Sequence, residues 1–210
     1  MELTGVEEEN RRLQSKINGL KLKVIRLEKE AALASRLKGL LKFVPPKGWH
    51  TEGVRVLAHR LGPNAALKTL LINKGSANAV KIDTPALTPQ GMVGKVIRVS
   101  PHFSTVLLLT DPNSRIAVIG EKTRTGGILC GQGPESLLQV KYVAQNDPLA
   151  EGEILKTSGL ANIFPKGLPV GRVSRIEYSK LSLFQTVWAE PLVHFKNMEE
   201  LLLLFKQTEV

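Results

Sequence analysis

The sequence predicts a mainly β protein preceded by a long N-terminal helix, and three observations lead there. A seven-residue hydrophobic repeat runs through the first forty residues. Short Val, Leu and Ile runs punctuated by Gly, Pro, Asn and Asp fill the rest, and two of those runs echo each other. At 210 residues the chain holds one large domain, or two small ones plus an extension. Aromatic residues are only 5% of it, so Val, Leu and Ile have to build the core.

Leu3, Asn10, Ile17, Val24 and Ala31 recur every seven positions, with Val6, Leu13, Leu20, Leu27 and Ala34 three residues behind them. These are the a and d positions of a heptad, and an a/d stripe is narrower than the face of a helix lying on its own domain. Ile17 and Val24 at a, with Leu13, Leu20 and Leu27 at d, favour two parallel strands, while Asn10 at a trades stability for register. The expected dimer seam is therefore Asn10, Leu13, Ile17, Leu20, Val24 and Leu27. Glu7–Arg11 and Glu8–Arg12 support the helix at i, i+4. Gly5 and Gly19 weaken it by about 1 kcal/mol each relative to Ala. Flanking charges are mixed, so parallel and antiparallel pairing both stay open. Leu37 and Leu40 leave the heptad phase, and Pro45, Pro46 and Gly48 end the helix.

From Val54 onward the chain reads as short strands: Val54–His59, Lys68–Asn73, Met92–Val99, Thr105–Leu109, Arg115–Ile119, Leu137–Val143, Ile154–Thr157, Pro169–Tyr178, Gln185–Pro191 and Glu200–Phe205. Their close spacing is that of small barrels or sandwiches, not of βαβ units. The last run, MEELLLLF, is equally compatible with a helical turn. The echo lies between GMVGKVIRV (91–99) and LPVGRVSRI (168–176), each following a strand that ends in Thr, Thr88 or Thr157. A Gly inside such a strand marks a bulge or barrel corner, and two related barrels explain the repeat. Gly75, Gly91, Gly94, Gly159, Gly167 and Gly171 are expected at turns and corners. In Asp111-Pro112-Asn113-Ser114, Asp caps the turn, Pro sets φ and Asn tolerates the left-handed region.

The net charge of +10 raises nucleic acid or an anionic polymer as partner. The basic residues are dispersed among acids and lack interleaved aromatics, so no nucleic-acid site is expected. A basic polymer-binding module stays as an alternative function. Cys130 is alone, and His50, His59, His102 and His194 have no ligand spacing, so neither a metal nor another cofactor is expected. No apolar run approaches the ~18–20 residues of a membrane helix, and the acidic, heptad-patterned start is unlike a signal peptide.

The stretches INKGSANAVKIDTPALTPQGMVGKV (72–96), LLLTDPNSRIAV (107–118) and TSGLANIFPKGLPVGRV (157–173) resemble the rod shape-determining MreC family. The resemblance covers the whole β region, and the heptad helix sits where that family has its coiled coil. It implies two six-stranded β-barrels of chymotrypsin-like topology, one inserted in the other. The expected division is a coiled-coil helix over 1–43, a first barrel from 52–90 and 146–206, and an inserted barrel over 91–145. It further implies a single-pass protein on the periplasmic side of the inner membrane. That protein would self-associate as a homodimer or higher assembly and link MreB and MreD to peptidoglycan-synthesising penicillin-binding proteins. The family's membrane helix is missing, so the sequence is expected to start just outside the membrane. Ala79 stands where the family often has Gly, which questions whether a positive φ is required there.

A barrel pair of protease type makes hydrolysis the competing function. Thr157-Ser158-Gly159 is the nearest approach to a nucleophile turn, with His59 or His102 as base and Asp83 or Asp111 behind it. Spacing singles out no set, and Ser158 lacks the glycine and acid that precede the nucleophile in the protease motif. Glu151 and Glu153 flank Gly152 in what reads as an exposed turn and make a poor pair for wall hydrolysis. The reading is a non-catalytic scaffold, with partner surfaces near Phe103, Phe164 or Phe184.

Overall fold

The computed structural model describes residues 2–59, 67–133, 137–160, 163–178 and 182–207, with side chains from residue 8 onward. Residues 1–42 and 43–210 form two compact units. The first is helix α1, Glu2–Leu41. An ion pair of 3.0 Å between Arg26 and Glu30 braces it at i, i+4. It stops at Leu41, ahead of Pro45, Pro46 and Gly48, whose φ is +79°. The side chains of Leu3, Val6 and Glu7, which carry part of the heptad and one of the expected i, i+4 pairs, lie outside the described residues.

Among the described residues, the regular structure of the second unit is all β apart from one 3-10 turn, Ser76–Asn78. Its twelve strands are β1 (Trp49–His59), β2 (Thr69–Ile72), β3 (Pro85–Thr88), β4 (Gly91–Val99), β5 (Ser104–Leu108), β6 (Arg115–Gly120), β7 (Gly126–Gly131), β8 (Leu138–Ala144), β9 (Ile154–Thr157), β10 (Pro169–Glu177), β11 (Phe184–Pro191) and β12 (Glu200–Lys206). They close two six-stranded antiparallel barrels, ordered β1-β12-β3-β4-β5-β2 and β10-β11-β8-β7-β6-β9. MEELLLLF resolves as a strand. Leu201 and Leu203 face the first core, and Leu202 and Leu204 are also buried, so the run shows no alternation.

One barrel is inserted in the other, but the expected boundaries at 91 and 145 are wrong. β4 and β5 pair with β3 and β2, so the first barrel runs through Leu108 and is completed by β12. The inserted barrel spans Arg115–Pro191. Local pattern placed the corner at Gly91 as a domain start, whereas the crossover is the Asp111 turn. The strand that closes the first ring, β12, follows its neighbours β1 and β3 by more than a hundred residues, and nothing in the sequence near β3 announces it.

The two rings have the same connectivity once one is circularly permuted: β7, β8, β9, β10 and β11 stand where β1 to β5 stand, and β6 stands in the place of β12. The echoed strands β4 and β10 are thus equivalent. Ladder irregularities recur at matching places, between Val96 and Arg98 in β4 and between Val173 and Arg175 in β10. Each barrel has its own aliphatic core, one around Leu70, Ile72, Val96 and Leu203, the other around Ile116, Leu129, Leu155 and Val187. Met92 and Leu109 of the first barrel pack into the second core, and Phe195 packs against both.

Candidate docking surfaces

Asp111 sits fully buried at the crossover. Its carboxylate accepts the Lys68 backbone N–H at 2.6 Å and the Asn113 backbone N–H at 2.8 Å. The Lys68 ammonium donates to the Gly133 carbonyl, and the Gly133 N–H donates to the Thr110 carbonyl at 3.0 Å. The expected turn cap therefore also fastens β2 to the linker between barrels. Of the expected corner glycines, Gly159 and Gly167 have φ of +81° and +96° in the β9–β10 connection. Gly91 comes against the inserted barrel, where an added Cβ would stand 2.8 Å from the Pro169 carbonyl oxygen. Gly75 precedes the 3-10 turn, with the Ser100 carbonyl oxygen 1.9 Å from where its Cβ would be. Gly94 and Gly171 are equivalent, each pressed on a carbonyl of the next strand, Leu107 at 1.9 Å and Glu190 at 2.8 Å. Ala79 adopts φ +59°, so the left-handed conformation is kept there by a residue with a Cβ.

Four of the groups nominated for hydrolysis, Ser158, His59, Asp83 and Asp111, have other partners. Ser158 Oγ accepts the Leu160 N–H at 3.1 Å. His59 Nε2 lies 3.1 Å from the Met198 carbonyl. Asp83 pairs with Lys95 at 2.6 Å, and Asp111 is held as above. Glu153 corrects the expectation of an exposed carboxylate, because it is buried just before β9. Burial pushes its pKa up, but hydrogen bonds from the Thr123 and Lys122 backbone N–H groups, the Thr123 hydroxyl and the Ala150 turn outweigh that and leave it below its ordinary value. Its role is to hold the β6–β7 turn.

Among the described residues, two surfaces group several exposed apolar side chains. On α1, Leu13, Ile17, Leu20, Val24 and Leu27 are half-exposed or more, and Asn10 is exposed among them. Leu22 and Ile25, off the a/d stripe, are exposed as well, so the apolar surface of the helix is wider than the heptad implies.

The second surface is the outer face of β8 and β11, which sequence reasoning reached only at Phe184. Phe103 is half-exposed, while Phe164 belongs to the inserted barrel's core. In β8 the burial alternation breaks between Val140 and Val143, leaving Lys141 and Tyr142 both exposed. The ladder to β11 shifts at the same place, between Gln185 and Val187, which makes a bulge with two residues opposite one. Tyr142 there has φ +63°, a strained conformation for a bulky side chain. The bulge turns Tyr142 outward onto Phe184, edge to face with ring centroids 5.8 Å apart. Leu183, 83% exposed, lies beside Phe184. Further along the same face of β11, Trp188 carries the Arg175 guanidinium 6.0 Å from its ring centroid. No sequence rule flags a positive φ at a tyrosine, so this face was invisible before the fold was known.

The family model described as rod shape-determining protein MreC, barrel core, matches residues 60–205. The chain belongs to the MreC family. The cell shape-determining protein MreC of Caulobacter vibrioides is 35% identical over 168 residues, covering 78% of this chain and 46% of the relative. That of Escherichia coli is 31% identical, covering 65% and 37%. The chain thus spans less than half the length of these curated relatives. Among solved structures, an MreC superposes with a TM-score of 0.75 at 28% identity, covering 83% of this chain and 98% of that one. MreC from Pseudomonas aeruginosa does so with 0.69 at 30%, covering 74% and 99%. The MreC fold is also shared, at 14% identity and TM-score 0.61, covering 76% and 99%, by a structure described as a complex between penicillin-binding protein PBP2 and MreC from Helicobacter pylori. MreC proteins determine cell shape, and the motifs read from the sequence fall on the corners and crossover of the MreC barrel pair.

Proposed function

We propose that the chain is a non-catalytic scaffold of the machinery that elongates rod-shaped cells. It works on the periplasmic side of the inner membrane and self-associates through α1. Its barrels engage penicillin-binding proteins, and MreB and MreD are reached through the membrane-spanning part of the full-length protein. The observation that carries this reading is the Tyr142–Phe184 pair, an exposed aromatic cluster presented by a strained bulge. Strain of this kind persists where the surrounding fold over-determines it, and rigid exposed aromatics are the side chains that anchor protein interfaces. That the Helicobacter pylori relative was solved as a complex with PBP2 supports the choice of partner.

The test is binding of the full chain to the soluble part of a penicillin-binding protein from the same organism. Tyr142→Asn keeps a residue that tolerates positive φ, and Phe184→Ser removes the second ring. The double variant should bind at least tenfold more weakly with its melting temperature little changed. Equal affinity would remove this face from the interface. For self-association, Leu20→Glu places a charge in a desolvated d layer. Sedimentation equilibrium should show the dimer of the full chain become mainly monomer, and an unchanged mass would exclude the a/d seam.

A further inference from the structure

A groove of about 1120 Å³ opens at the mouth of the first barrel, between the end of β12 and the loop before β3. We propose that it binds an extended acidic peptide segment of a partner protein, which adds as a short strand to the open edge of β12.

The edge is open for a reason written in the sequence. β12 pairs with β1 all the way to Lys206, and the Gln207 N–H donates to the Gly48 carbonyl at 2.8 Å. In an antiparallel ladder this points the backbone groups of residues 203, 205 and 207 toward β1 and those of 204 and 206 away from it. On that other side the pairing with β3 ends at Leu203↔Ala86. The next residue of β3 is Pro85, which has no N–H to give to the Leu204 carbonyl. Beyond it the chain turns off, and the Asp83 N–H is spent on the Val96 carbonyl at 2.8 Å. Among the described residues, the Leu204 carbonyl and both backbone groups of Lys206 therefore face the groove with no strand beside them. Such an edge accepts an added strand through main-chain hydrogen bonds, with flanking pockets for alternate side chains.

Charge and shape select the occupant. One side of the groove carries the stacked rings of His50 and Phe205, centroids 5.4 Å apart, and the other carries Ile82, 64% exposed. The acids in its lining are already neutralised, Glu52 by Lys74 and Asp83 by Lys95, each at 2.6 Å. Lys47, Lys81 and Lys206 line the same groove, all exposed, and among the described residues none of the three has an acidic partner. An extended segment alternating acidic and apolar residues matches both the cations and the apolar walls.

The probe is an acetylated octapeptide alternating glutamate and valine, titrated into the 15N-labelled full chain. The amides of residues 204–207 and 79–82 should shift, and raising NaCl from about 50 to 500 mM should weaken binding several-fold. Lys81→Glu should weaken it at least tenfold. Lys206→Pro should do the same, because it deletes a groove-facing N–H and leaves the ladder to β1 intact. The proposal falls if the peptide does not bind at millimolar concentration, or if a lysine-for-glutamate or backbone N-methylated version binds equally well. It also falls if the shifts map to β8 and β11, or if the 204–207 amides respond only to protein concentration, which would make a second copy of the chain the occupant.

Discussion

The two barrels are one ring drawn twice. Each runs through six strands in the same cyclic order, and each places a Val-Gly-basic-Val strand, β4 or β10, at the same station with the same ladder irregularity after it. Each also ends the preceding strand in a threonine whose hydroxyl bridges the connection. Thr88 donates to the Gly91 carbonyl at 3.4 Å, and Thr157 donates to the Pro165 carbonyl at 2.5 Å. What differs is the outside. The inserted barrel carries the Tyr142 bulge and its aromatic cluster, while the first barrel carries the open edge of β12. The shared features are those that backbone packing dictates, and the divergent ones lie on the outer surface.

The sharpest way to break this equivalence is at its two corner glycines. An added Cβ at Gly94 would sit 1.9 Å from a strand carbonyl, and one at Gly171 2.8 Å from its counterpart. Gly94→Ala should therefore cost about 3 kcal/mol or more and Gly171→Ala about 1–2 kcal/mol, read from urea midpoints. Hydrogen exchange should show the loss concentrated in the mutated barrel. Equal costs would mean that the two corners are equally crowded and that the distance difference has no energetic content.

A smaller effect separates the barrels by acid. The residue before β9 is Glu153, whereas the one before β3 is Thr84, whose hydroxyl bonds within its own loop to Lys81. Because Glu153 has its folded pKa held below its unfolded value, its contribution is complete above the unfolded value and is lost as pH falls through the folded pKa. Core amides of the inserted barrel should lose protection at higher pH than those of the first. Glu153→Gln should remove the difference at a cost of about 2 kcal/mol at neutral pH. Simultaneous acid unfolding of both barrels in the native chain would count against this assignment. The smallest effect belongs to Ala79. Replacing it with Gly relieves a left-handed Cβ and should raise stability by about 0.5–1 kcal/mol by the same urea measurement.

These contrasts also show what the sequence could tell. The heptad, the corner glycines and the Asp111 turn were legible because each is a local rule with a residue attached. Strand β3, PALT, was missed because it is four residues long and starts with proline. Strand β7, GGILCG, was missed because glycines hide its alternation. The MreC motifs announced a nested pair of barrels but not which strands close which ring, since β12 finds β3 across more than a hundred residues. The aromatic face was illegible for another reason: a bulge forms from the mismatch between two strands, and neither strand records it alone.

The late arrival of β12 has a consequence for how the protein is made. The inserted barrel has all six of its strands once Pro191 has emerged, yet the first ring still lacks its closing stave. At about 5–20 residues per second, the ninety or so residues between β5 and β12 take on the order of 5–20 s to synthesise. Through that interval β1 and β3 each carry a bare edge, and the younger barrel matures before the older one. A chain cut short by a dozen residues would thus leave a finished barrel hanging from an unfinished one. Its exposed strands would mark it for proteolysis and would invite pairing with any neighbouring chain in the same state.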